Sequence, residues 1–222
     1  MDTVIFDFDG VIADNSEGIM NCCVCAAEKM GLTPPPRSEA VKFIGPPLFE
    51  SFKAYFSLSD GETRRMVAFY RERYPVKGCF ELDFYPGVLV MLPLLREMGF
   101  KLAIATGKPD AFIKKICSHF ELDRHMTAIC GVTFDQTDPD KSEIILNALR
   151  LCGSSTENAV YVGDRRSDVQ SAEKAGLPCV GVTYGFGTPD ELEGCVKIAD
   201  DVYSLEKTLV ELGGKKLIPW KA

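Results

Sequence analysis

No run of apolar residues in this sequence reaches the ~18 that a membrane-spanning helix needs. The first residues also lack the basic start, apolar stretch and cleavage site of a secretory leader, so a cytoplasmic protein is expected. A basic surplus is missing as well: 25 Lys and Arg against 32 Asp and Glu give a formal net charge of -7. Phosphate backbones attract excess cations, so a nucleic-acid polymer is not the expected partner. A small anionic substrate is not excluded, because one local cluster of cations, or one metal, overrides a negative surface. A matched set of two cysteine pairs is absent too. The nine cysteines are an odd count scattered through apolar segments. The tightest group, Cys22, Cys23 and Cys25, contains one Cys-x-x-Cys spacing, Cys22 to Cys25, but lacks the second matching pair that tetrahedral metal sites usually want. No disulfide framework is expected, and these thiols read as small buried groups on a helix. His119 and His125 end no apolar run and read as structural or surface residues. There is no internal repeat and no low-complexity segment.

What the chain has is a 222-residue length and 46% hydrophobic content, enough for a packed core carrying a smaller inserted domain. Short apolar runs without polar alternation suit strands buried on both faces of a parallel sheet. They are Val4-Ile5-Phe6, 102–105, 128–132, 159–162 and 179–182. Helical patterns lie between them at 110–120, 141–151 and 168–176, and at 87–98, where Pro93 should kink or split the helix. This alternation predicts an α/β fold with a doubly wound, mainly parallel sheet. Residues 15–82 break the rhythm. Helical patterns at 17–30, 46–57 and 61–73, separated by Pro-rich stretches, predict an inserted α-helical domain. The expected organisation is a Rossmann-like core of 1–14 and 83–222, with 15–82 as the insertion.

Ligands of open α/β sheets bind at the carboxyl ends of the strands. The residues that end the apolar runs are therefore the candidates. Asp7 and Asp9, in Asp7-Phe8-Asp9-Gly10-Val11, are two carboxylates at i and i+2, which share a side in extended backbone. They repel unless a cation or proton sits with them, and a hard divalent ion such as magnesium supplies one while accepting waters and phosphate. Asp164 and Asp168 add oxygen ligands, and spacing of four brings Asp168 back over Asp164 if the turn is helical. The hydroxyl of Thr106 and the backbone amide of Gly107 suit phosphoryl oxygens. Lys141, after the helix-start signal Asp138-Pro139-Asp140, could neutralise phosphoryl charge.

In order and spacing, this set resembles the haloacid dehalogenase (HAD) superfamily, in its phosphatase branch with a helical cap after the first motif. Asp7 to Ile12 is similar to motif one, Thr106 to motif two, Lys141 to motif three, and Gly163-Asp164 with Asp168 to motif four. Phe43 to Leu48, Tyr85 to Val88 and Val182 to Gly187 further resemble phosphoglycolate-phosphatase-like proteins. The sequence departs from the pattern at Gly107, where the family often has Ser or Asn, and at Ser142, where it usually has Pro. Lys108 is the fallback cation to Lys141.

The resemblance implies a Mg-dependent phosphatase of small phosphorylated metabolites. Asp7 is the nucleophile that forms an aspartyl-phosphate, and Asp9 is acid and then base. Magnesium is held by Asp7, the carbonyl of Asp9 and Asp164, with Asp168 close by, and Thr106, Gly107 and Lys141 offset phosphoryl charge. The cap would choose the substrate, with Lys42 the nearest cation for a substrate anion. A 5'-nucleotidase, a pyrophosphatase and a sugar-phosphate mutase or phosphatase of the same superfamily are alternatives, as is a catalytically dead phosphate-binding protein. Whether the protein is a monomer or homodimer stays open.

Overall fold

The computed structural model describes residues 1–133 and 140–220, the side chains of Ala40 and Val41 apart. Asp138 and Pro139, part of the expected helix-start signal, lie outside the described residues. The strands are β1 (Thr3–Phe6), β2 (Ala13–Asp14), β3 (Asp83–Phe84), β4 (Lys101–Pro109), β5 (Ala128–Val132), β6 (Ala159–Gly163), β7 (Cys179–Val182) and β8 (Lys197–Ala199). The helices are α1 (Ser16–Lys29), α2 (Leu48–Phe56), α3 (Asp60–Arg73), α4 (Val88–Glu97), α5 (Asp110–His119), α6 (Lys141–Leu151), α7 (Arg166–Lys174) and α8 (Val202–Leu212). None of the described helices is long and apolar enough to cross a membrane.

The chain divides into two compact units, Met1–Ala13 with Phe84–Ala222, and Asp14–Asp83. The first is built on a six-stranded sheet in the order β5-β4-β1-β6-β7-β8. All five pairings are parallel, with Val4 opposite both Leu102 and Val160. Thr3, Val4, Ile5 and Phe6 are fully buried, as β-branched and aromatic residues must be in a strand covered on both faces. One face, with Ile5, Ala103 and Tyr161, packs on Ile144, Ile145 and Ala148 of α6 and Val169 and Ala172 of α7. Toward the other, α4 packs on β4 and α8 on β8. From β1 the chain fills one side of the sheet with β4 and β5, then crosses to fill the other with β6, β7 and β8. The ends of β1 and β6 therefore flank the switch point where such sheets hold ligands.

Helix α4 runs unbroken through Pro93, where a split was one expected outcome. Pro93 removes the amide that would serve the Leu89 carbonyl, and Leu89 is an exposed residue, so water can replace that bond.

The second unit holds α1, α2, α3 and a 3-10 turn at Arg37–Phe43 that the sequence did not suggest. Its core is aromatic: Phe52 packs on Phe43, Phe56 and Tyr70, and Tyr70 stacks on Tyr74 at 5.3 Å. Helix α3 begins at a reciprocal cap, Ser59 accepting from the Glu62 amide and Glu62 from the Ser59 amide, which satisfies two otherwise orphaned donors.

Candidate active site

Strand β1 hands the chain directly to Asp7, whose N–H still donates to Val162 of β6 at 2.9 Å. Its Oδ1 accepts from the Phe8 N–H at 2.8 Å. The chain then turns back tightly, and the Phe8 carbonyl accepts from Ile12 and Ala13. Gly10 sits in this turn at φ +82°, where a Cβ would stand 2.1 Å from Asp164 Oδ2. The position demands glycine twice, for its left-handed backbone and for the carboxylate pressed against it.

Strand β6 ends at Gly163, against which the Asp168 side chain closes; a Cβ on Gly163 would lie 2.3 Å from Asp168 Cβ. Asp168 Oδ2 accepts from the N–H groups of Asp164 and Arg165, at 3.1 and 3.0 Å. The four-residue spacing does return Asp168 to Asp164, and one Asp168 oxygen braces the turn. Asp164 Oδ2 in turn accepts from the N–H groups of Phe186 and Gly187, at 2.7 and 3.3 Å. Those two amides were not read as functional from the sequence. The only signal was the glycine spacing in Gly185-Phe186-Gly187.

Lys141 is the first residue of α6, which Asp140 caps by accepting from the Ser142 N–H at 3.0 Å. The helix start aims the lysine back under the sheet's end. Its Nζ lies 2.7 Å from Asp7 Oδ2 and 2.5 Å from Asp168 Oδ1, and 5.8 Å from the Tyr161 ring centre. Burial works against the ammonium, but Asp168 and Asp7 outweigh it and hold its pKa well above the ordinary lysine range.

Asp7, Asp164 and Asp168 each offer an oxygen, and these lie within 4.8 Å of one another, all on buried residues. Burial, reinforced by Asp168 and Asp7, pushes the Asp164 carboxyl up to about 7. Burial also raises Asp168, against the pull of Lys141. Burial comes first in both shifts, and the part that Asp7 adds to each is the repulsion of carboxylates short of a counter-ion. With Asp9 there are four carboxylates, and among the described residues Lys141 and Lys108 are the two ammonium groups ion-paired with them. Fully ionised, the set carries two negative charges more than positive, and its oxygen-only donors fit a hard divalent cation.

Asp9 stands apart from that group. Its Oδ2 lies 3.1 Å from Nζ of Lys108. Thr106 is buried near the end of β4, the strand beside β1, and its Oγ1 accepts from the Lys108 N–H at 3.3 Å. Gly107, between them, is exposed. The structure thus gathers Asp7, Asp164 and Asp168 around one point with Lys141 on Asp7 and Asp168, joins Asp9 to Lys108, and sets Thr106 and Gly107 near the end of the neighbouring strand. Lys42 belongs to the other unit, where it is 2.9 Å from Glu39 and 5.4 Å from the centre of the Tyr55 ring.

Residues 4–182 match the family model described as haloacid dehalogenase-like hydrolase. The chain is 36% identical over 189 residues to a 5'-nucleotidase of Pseudomonas aeruginosa, covering 85% of this chain and 86% of that one. It is 31% identical over 209 residues to the tyrosine-protein kinase PtkA of Mycobacterium tuberculosis, covering 94% and 70%. Among solved structures, a predicted phosphatase from Clostridium acetobutylicum superposes with a TM-score of 0.85 at 35% identity, covering 95% of this chain and 98% of that one.

Proposed function

Because the chain belongs to the haloacid dehalogenase-like hydrolase family, we propose that it is a magnesium-dependent phosphatase that cleaves small phosphorylated metabolites through an aspartyl-phosphate on Asp7. The observation that carries this reading is the meeting of Asp7, Asp164 and Asp168 oxygens within 4.8 Å at the end of the central strand.

An oxygen of Asp7 attacks phosphorus, and the bond to the ester oxygen breaks. Asp9 gives that oxygen its proton. Water then attacks the phosphoryl group, its proton passes to Asp9, and the bond from phosphorus to Asp7 breaks, releasing phosphate. Thr106, the Gly107 amide and Lys141 offset charge on the equatorial oxygens, where most catalysis of phosphoryl transfer resides. Lys141 and the Phe8 amide fix the two oxygens of Asp7 before substrate arrives. A divalent ion held by Asp7, Asp164 and the carbonyl of Asp9, with Asp168 close by, would supply the remaining positive charge.

Asp7→Asn should lower turnover of 4-nitrophenyl phosphate at least about a thousandfold. Wild-type enzyme quenched in acid should carry a phosphoryl group on the peptide containing Asp7. Near-normal turnover by a folded Asp7→Asn variant would overturn the proposal.

The substrate is proposed at two levels. The stretches Phe43 to Leu48 and Val182 to Gly187 favour phosphoglycolate, whereas the 36% identity to a 5'-nucleotidase favours a nucleoside monophosphate. A phosphate-release panel with both, together with hexose phosphates, pyrophosphate and a phosphotyrosine peptide, separates them. Lys42 is proposed as a contact for the substrate's second anionic group, and Lys42→Ala should then raise KM for the preferred substrate more than for 4-nitrophenyl phosphate. Nine free cysteines support a reducing, cytoplasmic setting.

A further inference from the structure

The site holds two lysines, and they face different carboxylates. Lys141 serves Asp7 and Asp168, on the side of the proposed nucleophile and metal. Lys108 serves Asp9, at 3.1 Å. Lys108 is held as a structural part rather than as a surface side chain. Its side chain is 5% exposed, against 22% for Asp9. Its backbone N–H donates to Thr106 Oγ1. Its carbonyl runs so close to β5 that a Cβ on Gly131 would stand 2.4 Å from it. The pairing of β4 with β5 shifts register between Ala105 and Pro109, which bracket this segment. A long flexible ammonium stem is thus anchored at its base by three elements of geometry and reaches the Asp9 carboxylate.

We propose that Lys108 is a positioning residue for Asp9 in the second half of the reaction, when the aspartyl-phosphate is hydrolysed. This rests on the reading given above for Asp7 and Asp9. In that half-reaction a water oxygen bonds to phosphorus, the bond from phosphorus to Asp7 breaks, and the water's proton goes to the Asp9 carboxylate. The acceptor must be a carboxylate already aimed at the water. An ion pair with an anchored ammonium holds the side chain in one place and takes no proton from it. Asp9 lies in the turn just before Gly10 and its side chain is partly open to solvent, so without Lys108 its carboxyl has alternative rotamers to occupy. Lys141 does not substitute, because its ammonium is committed to Asp7 and Asp168.

The probe is 4-nitrophenyl phosphate, whose leaving group departs without a proton, so the first half-reaction proceeds even when Asp9 is misplaced. In Lys108→Met, rapid mixing should show a burst of about one nitrophenolate per active site followed by slow turnover. In the steady state kcat should fall by about 100-fold, with KM falling alongside it so that kcat/KM is held. The phosphoryl group should accumulate on the peptide containing Asp7. A merely structural lesion lowers kcat/KM and produces no burst. Since Lys108→Met takes a buried ammonium from beside the half-buried Asp9 carboxylate, Lys108→Gln provides a second, better-tolerated variant with the same expected burst. Asp9→Asn separates the two levels of the proposal. If Asp9→Asn bursts while both folded Lys108 variants turn over without a burst, the role given to Lys108 is wrong and the mechanism stands. If Asp9→Asn itself shows no burst and no phosphoenzyme, the assignment of Asp9 falls and takes this one with it.

Discussion

Asp164 is held by two backbone amides and crowded by two glycines, yet its carboxyl is pushed up to about 7 by burial first and then by Asp168 and Asp7. In the unfolded chain the same group ionises near 3.8. Between these two values the folded metal-free protein keeps a proton that the unfolded chain has lost. Its contribution to stability is therefore full below about pH 4 and is lost as pH rises toward 7, by at most about 1.4 kcal/mol per pH unit. With chelator present, Asp164→Asn should be more stable than wild type at pH 7.5 by a margin in Tm that shrinks at pH 5. A margin independent of pH would discard the assignment. The same crowding makes Gly10 intolerant. Gly10→Ala places a Cβ on Asp164 Oδ2 in a left-handed backbone, and should cost about 1–3 kcal/mol of stability. It should also weaken magnesium activation, measured as the metal concentration for half-maximal rate.

At the scale of elements, two helix starts of similar strength have different consequences. Ser59 caps α3 in the helical unit, and Asp140 caps α6 immediately before Lys141. Ser59→Ala and Asp140→Ala should each lower stability by about 1 kcal/mol. Only Asp140→Ala should also lower kcat, because the α6 start sets where the Lys141 stem leaves the backbone. Equal kcat in the two variants would separate the helix start from the lysine's placement. The elements legible in the sequence were those whose burial leaves a pattern. β1, β4, β6 and β7 are covered on both faces and read as unbroken apolar runs, and β5, buried on one face and half-buried on the other, still read as one. β8 is three residues at the sheet's edge, two of them exposed, and left no such run. α8 follows it and was not read either, nor was the 3-10 turn at Arg37–Phe43. Within the site, Asp7, Asp164, Asp168 and Lys141 were legible because each sits where a strand ends or a helix begins. The pairing of Lys108 with Asp9 was not, since it depends on β4 lying beside β1, an order that sequence periodicity does not encode. The amides of Phe186 and Gly187 carry no side-chain signature at all.

Over the whole molecule, the net charge of -7 includes a centre whose own excess negative charge awaits a cation. Ligand that binds only the folded state adds stability by mass action, about 2.7 kcal/mol at one hundred times Kd. Magnesium at saturating concentration should thus raise Tm over chelated protein by several degrees, and Asp164→Asn should erase most of the rise. A rise that survives in Asp164→Asn would place the ion elsewhere.

The interrupted course of the first unit also sets a timetable for synthesis. Strand β1 is translated well before the strands on its two sides, which come only at residues 101–109 and 159–163. The contiguous segment 14–83 emerges whole in between, with an aromatic interior of its own, and can fold while the first strand still waits. Nascent chains halted before residue 159 hold Asp7 on a strand with one open edge and lack Asp164 entirely, so the carboxylates of the reaction centre meet only after residue 168 has been translated.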